Sequence, residues 1–70
     1  MTNKEIRNTI KCLILMCKDL NDMHNNYDVS TSEENQFRYE LQEAIEQFND
    51  SQTSWTCTLA KSSKGWCLKI

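Results

Sequence analysis

Residues 55–70 read WTCTLAKSSKGWCLKI, in which large apolar side chains occupy every second position on both sides of a single glycine. A period of two is typical of β-strands, whose successive side chains point to opposite faces. Turn-forming residues separate the two alternating runs, so the pattern predicts a β-hairpin. The large apolar members of the pattern are Trp55, Cys57, Leu59, Trp66, Leu68 and Ile70.

The hairpin register is predicted from where these apolar groups would collect. We expect Ala60 to face Gly65 across a four-residue loop. A slip by one residue would place Trp55 opposite Lys69 and divide the apolar cluster. We therefore expect both tryptophans, Trp55 and Trp66, to face the core. The further pairs of this register are Leu59 with Trp66, Cys57 with Leu68 and Trp55 with Ile70.

An amphipathic helix is predicted at the start of the chain. Thr2 and Glu5 have the spacing of a capping box, with Met1 and Ile6 available for a hydrophobic staple. Apolar residues follow at spacings of four and three, and the pattern fades over residues 21–26. The stripe consists of Ile6, Ile10, Leu13, Cys17 and Leu20, widened by Ile14, Met16 and Met23.

A second helix is predicted to begin near residue 30. Two overlapping capping boxes are present, Ser30 with Glu33 and Thr31 with Glu34. The helix should end somewhere within residues 49–54, where no glycine or proline marks the boundary. Its apolar face consists of Phe37, Leu41, Ala44, Ile45 and Phe48.

These elements predict one α+β domain over residues 1–70, with two antiparallel helices packed on a C-terminal two-stranded antiparallel hairpin (ααββ). A two-stranded sheet leaves both strand edges unpaired. A homodimer that joins two hairpins at their edges into a four-stranded sheet is therefore one expectation, and solvated edges are the other.

Composition excludes several functional classes. The chain has 70 residues, ten acidic and eight basic, for a net charge of −2. Its longest apolar run, residues 13–17, is far shorter than the roughly 20 residues needed to span a bilayer. It is also shorter than the apolar core of a secretory signal peptide. We expect a cytoplasmic protein that does not bind membranes, with its four cysteines as free thiols.

No residue pattern predicts catalysis, a metal site or a cofactor. Cys12 and Cys17 point about 140° apart on a helix, and Cys57 and Cys67 fall on opposite hairpin faces. His24 has no nucleophile at a recognisable spacing, and one glycine cannot form a phosphate-binding loop. We therefore expect a protein that is not an enzyme, with Cys17 and Cys57 as small buried hydrophobic residues.

The second helix carries an aromatic side chain among acids, opposite its apolar face. Tyrosine is efficient in interfaces, and carboxylates would steer it towards a basic partner. The alternative is an ordinary solvated helix face. Leu15 on the first helix is a further apolar residue expected to be exposed. The expected partner-binding residues are Tyr39, Glu43, Glu46, Asp50 and Leu15.

The first helix carries a basic stripe at a seven-residue repeat, beside Arg7. Hairpin lysines could extend it into a strip that follows phosphates. There are two alternatives for this stripe. It could simply be solvated, or it could contact the acidic second helix of the same chain or of a dimer mate. Because the net charge is negative, nucleic acid is an unlikely partner. The candidate residues are Lys4, Lys11, Lys18, Lys61 and Lys64.

The leading functional hypothesis is a non-enzymatic protein-binding module, an inhibitor or adaptor, and the alternative is a small nucleic-acid-associated regulator. The module would use the acidic surface around Tyr39 or the hairpin edge. In composition alone, this short, Asn-rich, proline-free chain resembles the small accessory proteins of bacteriophages and mobile elements. That resemblance implies occlusion of a host protein, which here would present a basic surface.

Overall fold

The computed structural model describes residues 2–70 and confirms the α+β architecture of two helices followed by a hairpin. The elements are α1 (Asn3–His24), α2 (Thr31–Ser51), β1 (Thr58–Ser62) and β2 (Gly65–Lys69). The two strands pair antiparallel and form the sheet. Across residues 2–70, neither helix is long and apolar enough to traverse a bilayer.

Both helices begin at the predicted caps. The Thr2 hydroxyl oxygen accepts a hydrogen bond from the Glu5 backbone N–H at 3.2 Å. The Ser30 hydroxyl oxygen accepts one from the Glu33 N–H, also at 3.2 Å, so α2 begins at the first of its two predicted caps. Such caps satisfy N–H groups that the first turn of a helix leaves unpaired. The staple through Met1 lies outside the described residues.

The core lies where the two helices and the hairpin meet. The helices are antiparallel because a short connection joins them, and His24 at the end of α1 contacts Glu34 at the start of α2. Ile14, expected to widen the α1 stripe, is exposed instead. The buried residues are Ile6, Leu13, Cys17, Leu20, Leu41, Ile45, Phe48 and Cys57.

The predicted hairpin register is wrong by two residues. Ser62 faces Gly65 across a two-residue loop, and Lys61 rather than Leu59 faces Trp66. A shift of two residues leaves every side chain on the same face of the sheet. The apolar pattern can therefore exclude register shifts by an odd number of residues but not a shift by two. The pairing was therefore decided by the turn.

The turn depends on Ser62 and Gly65. Ser63 and Lys64 both have negative φ, which excludes the primed turns that usually close two-residue loops. Gly65 has a φ of +116°, a conformation that side chains disfavour. A Cβ there would also lie 2.5 Å from the Asn21 Oδ1 atom, so glycine is required for space as well as for conformation. The Ser62 hydroxyl closes the turn by accepting from the Lys64 N–H and donating to the Gly65 carbonyl oxygen.

The expectation that both tryptophans face the core is wrong for Trp55. The shorter loop moves the strand pairs towards the turn, so β1 begins at Thr58 and Trp55 precedes it. The Trp55 side chain is 48% exposed, whereas Trp66 is partly buried and packs against the core. Ile70, its expected cross-strand partner, is also exposed.

Two asparagine side chains attach the hairpin to the helices. The Asn21 carboxamide of α1 accepts from the Trp66 N–H at 2.7 Å and donates to the Trp66 carbonyl oxygen at 2.8 Å. The Asn49 carboxamide of α2 makes the same two bonds with Cys57, both at 2.8 Å. Each side chain thus occupies the place that the backbone of a neighbouring strand would take.

These two carboxamides also reduce the length of strand edge that is free to pair with another strand. The pair that flanks a two-residue loop is hydrogen-bonded, so Lys61 and Trp66 turn their backbone N–H and C=O groups outward. Asn21 covers the β2 edge at Trp66, and Asn49 covers the extended segment before β1 at Cys57. Only short pieces of edge remain, around Leu59 and Lys61 on one strand and Leu68 on the other. The four-stranded dimer stays a prediction, and its strands would have to pair through these short pieces of edge.

Replacing Asn21 with aspartate should destabilise the fold by about 2 to 3 kcal/mol at neutral pH. The substitution keeps the shape of the side chain but exchanges the donor for an oxygen that faces the Trp66 carbonyl. Urea unfolding would measure the loss. Asn8→Asp, at an exposed position on the same helix, is the matched control and should change stability little. Equal stability of the two variants would contradict the role assigned to Asn21.

Candidate functional site

The predicted acidic surface of α2, here called the acidic face, consists of Tyr39, Glu43, Glu46 and Asp50. The Tyr39 side chain is 63% exposed, and all three acids are exposed. Tyr39, Glu43 and Glu46 line a shallow depression of about 250 Å³ together with Gln42. Asp50 follows Glu46 by about one helical turn. The structure therefore brings the tyrosine and two of the acids together.

The carboxylates of the acidic face are available to a partner. Within residues 2–70, the ion pair found is His24 with Glu34, and it lies at the other end of the helix pair. The acids of this face therefore have no lysine, arginine or histidine of the described chain within ion-pairing distance. An incoming cation would not have to displace an internal one.

Leu15 does not belong to the acidic face, although it is 59% exposed as expected. On α1 it points roughly 170° away from the mean direction of the four buried residues. Those buried residues face α2 and the hairpin, so Leu15 faces away from both. It lies among the basic residues of α1 instead.

A second depression, not expected from the sequence, adjoins the acidic face. It measures about 550 Å³ and runs between α2 and Trp66, with Tyr39 and Gln42 lining it as well. The Arg38 guanidinium carbon lies 5.6 Å from the centre of the Trp66 ring, and the Lys61 ammonium lies 5.4 Å from it. Both distances are within the range of cation–π attraction.

The register explains why sequence reasoning missed this cluster. With Ala60 opposite Gly65, Lys61 would have lain in the loop, whereas the observed pairing places it directly across from Trp66. No sequence pattern identified Arg38 as a candidate site residue, because it follows the apolar residue Phe37 and belongs to neither surface stripe. Tyr39 and Gln42 line both depressions, which together are here called the groove; acids line one end, and the other end holds Arg38 and Trp66.

The five lysines proposed for nucleic acid divide into two groups, one at the hairpin turn and one along α1. Lys61 and Lys64 line a depression of about 210 Å³ at the hairpin turn, next to His24 and Gly65. The three lysines of α1 are exposed along its outer side, and none of them lines that depression. The α1 lysines are Lys4, Lys11 and Lys18.

The cysteines divide into two buried and two exposed thiols, as their spacing predicted. Cys17 and Cys57 are buried, and Cys12 and Cys67 are exposed. Burial raises the pKa of the Cys17 thiol, and the nearby Cys67 raises it further. Burial also raises the pKa of Cys57. Both buried thiols are thereby kept protonated and unreactive. Over residues 2–70, no group of three or more potential metal ligands is close enough to hold an ion.

No family model, no curated protein and no solved structure matches this chain. Its function is therefore inferred from its own residues.

The stability of the fold should decrease in alkaline solution. Because the pKa values of Cys17 and Cys57 are raised in the folded state, the native protein keeps protons that the unfolded chain releases. Stability should not depend on these groups below the unfolded thiol pKa of about 8.5, and should fall above it by up to about 1.4 kcal/mol per pH unit for each thiol.

Urea unfolding at several pH values would measure this loss. The double variant Cys17→Ala/Cys57→Ala should be less stable throughout but should lose the alkaline slope. Cys12→Ala, which removes an exposed thiol, should keep it. A slope that survives in the double variant would assign the titration to other groups.

Proposed function

We propose that this protein is a non-enzymatic protein-binding module that uses the acidic face of α2 to occlude a partner with a basic surface. The observation that carries the proposal is the exposure of Tyr39 among carboxylates that have no partner within residues 2–70. The compositional resemblance to accessory proteins of phages and mobile elements favours an inhibitor or adaptor of a host protein.

The chemistry of the acidic face suits recognition of a cationic surface. An exposed tyrosine contributes a large, rigid apolar area with a polar tip, and interface residues of this type often dominate the binding energy. Glu43 and Glu46 beside it would accelerate encounter with a basic surface and disfavour acidic competitors. Tyr39 is on a regular helix, so its backbone is already ordered and no backbone entropy is lost when the side chain is covered.

The charges at the two ends of the groove predict the orientation in which a partner would bind. The far end of the groove carries the Arg38 and Lys61 cations, which would repel the same basic surface that the acids attract. A partner should therefore place its positive charge against Glu43 and Glu46. It should place a neutral or acidic group near Trp66. Binding in the reverse orientation would bring like charges together.

The double variant Tyr39→Ala/Glu43→Lys should lose the partner, with affinity reduced at least about tenfold by removal of the ring and reversal of one charge. A photo-cross-linking residue at Gln42, which lines both depressions, should capture that partner from the source cell. The same residue at Asn8 on α1 should not.

A matched control is Tyr27→Ala/Glu40→Lys, which removes the other tyrosine and makes the same change in net charge. Tyr27 is fully exposed in the loop between the helices, and Glu40 is exposed on a different side of α2. This variant should bind as the wild type does. If both double variants capture the same proteins equally, the acidic face is not the binding site.

The second candidate function is association with single-stranded nucleic acid, and the Trp66 cluster is the observation that favours it. Arg38 and Lys61 lie beside an indole in a polar depression, a combination suited to phosphates and bases. The α1 lysines are outside this depression, so few phosphates would be neutralised.

Trp66 fluorescence in a Trp55→Phe background should report whether labelled DNA or RNA oligonucleotides bind. If they do, Arg38→Gln and Lys61→Gln should each weaken binding, and the dependence of affinity on salt should be shallow, about one to two phosphates. Lys4→Gln serves as the control and should have no effect. Absence of binding at low salt would remove this candidate.

A further inference from the structure

We propose that the acidic face of α2 binds the outer side of α1 in a second copy of this chain, so that the protein associates with itself head to tail. The outer side of α1, here called the basic face, consists of Lys4, Arg7, Lys11, Lys18 and Leu15. This inference concerns the same acidic face as the proposed function and names a second occupant for it.

The two faces cannot meet within one molecule. Each lies away from the buried side of its own helix, at angles of roughly 110° to 175° from the mean buried direction. The buried sides of α1 and α2 face each other and the hairpin, so the basic and acidic faces point outward in different directions. No ion pair joins them within residues 2–70.

The charges of the two faces are complementary. The basic face has four exposed cations, and two exposed acids, Asp19 and Asp22, lie on the same outer side of α1 near its end. The acidic face holds three exposed acids and no base. Each face also carries an exposed large side chain: Leu15 lies between Lys11 and Lys18, and Tyr39 lies one turn before Glu43.

The spacing of the charges also agrees. Lys11 and Lys18 are seven residues apart, and so are Glu43 and Asp50, so both pairs are separated by about 10.5 Å along their helices. Two helices packed side by side can therefore align both pairs at once. Surface ion pairs contribute little singly, so their combination with Leu15 and Tyr39 should give a weak association that depends on salt.

The contact is heterologous, because it joins different surfaces of the two copies. Each added copy leaves one acidic and one basic face free, and such contacts produce chains or rings rather than a closed dimer. A copy in such a chain has its acidic face covered. Self-association would therefore compete with the partner of the proposed function.

Charge reversal in the full-length chain tests the proposal. Lys11→Glu/Lys18→Glu places acids where Glu43 and Asp50 of the next copy would lie, and Glu43→Lys/Asp50→Lys places bases where Lys11 and Lys18 would lie, so each variant alone should remain a monomer. An equimolar mixture of the two should associate, because every contact then joins opposite charges. The fourfold variant, with both faces reversed, should associate with itself as the wild type does.

Sedimentation velocity would follow the average mass over a wide concentration range. At about 0.01 M salt, where the Debye length is about 30 Å, the wild-type mass should increase continuously with concentration, and at about 1 M salt it should not. Each single-face variant should associate more than about tenfold more weakly at low salt. Lys64→Glu/Lys69→Glu is the control, since it also takes the net charge from −2 to −6 but should still associate.

Two results would overturn the proposal. One is a wild-type protein that stays monomeric at every concentration at low salt. The other is a dimer that is insensitive to salt and to charge reversal, which would indicate pairing through the hairpin edges. The proposed function fails separately: Lys11→Glu/Lys18→Glu leaves the acidic face intact and should still capture the external partner.

Discussion

The bidentate contact between the Asn21 carboxamide and the Trp66 backbone is the constraint on which the rest of the structure depends. A two-stranded hairpin has little stability by itself and must be attached to something else. Asn21 pairs with the N–H and C=O of Trp66, which point outward in the register where Ser62 faces Gly65. The turn at Ser62 and Gly65 selects the register, and this one side chain of α1 attaches the resulting hairpin to the helices. That register places Lys61 across from Trp66 and leaves Trp55 outside the strand.

The sequence predicted what depends on periodicity and local capping. Thr2 and Ser30 begin the helices because a short polar side chain can reach an unpaired N–H three residues ahead, which is a local property. The burial of Leu20, Leu41 and Phe48 follows from the helical period. The order of elements and the face of each that meets the core could therefore be derived without coordinates.

What the sequence did not predict depends on contacts between residues far apart in the chain. Asn21 and Trp66 are 45 residues apart, and nothing in the spacing of an asparagine in a helix indicates a backbone partner in a hairpin. The pairing of Lys61 with Trp66, and so the basic end of the groove, could not be found because a register shift of two residues leaves the apolar faces unchanged. The acidic end could be found, because Tyr39, Glu43 and Glu46 lie on one helix and share its period.

The attachments between the hairpin and the helices are neutral. Asn21, Asn49 and Gln52 hold the backbones of Trp66, Cys57 and Trp55 through uncharged amides, whereas the charged groups described above lie on the surface. Ionic strength screens interactions between charges and has little effect on amide hydrogen bonds. The interior architecture therefore responds to different solution variables from any contact made through the surface charges. A change in electrolyte content would weaken or strengthen such contacts without loosening how the chain is assembled.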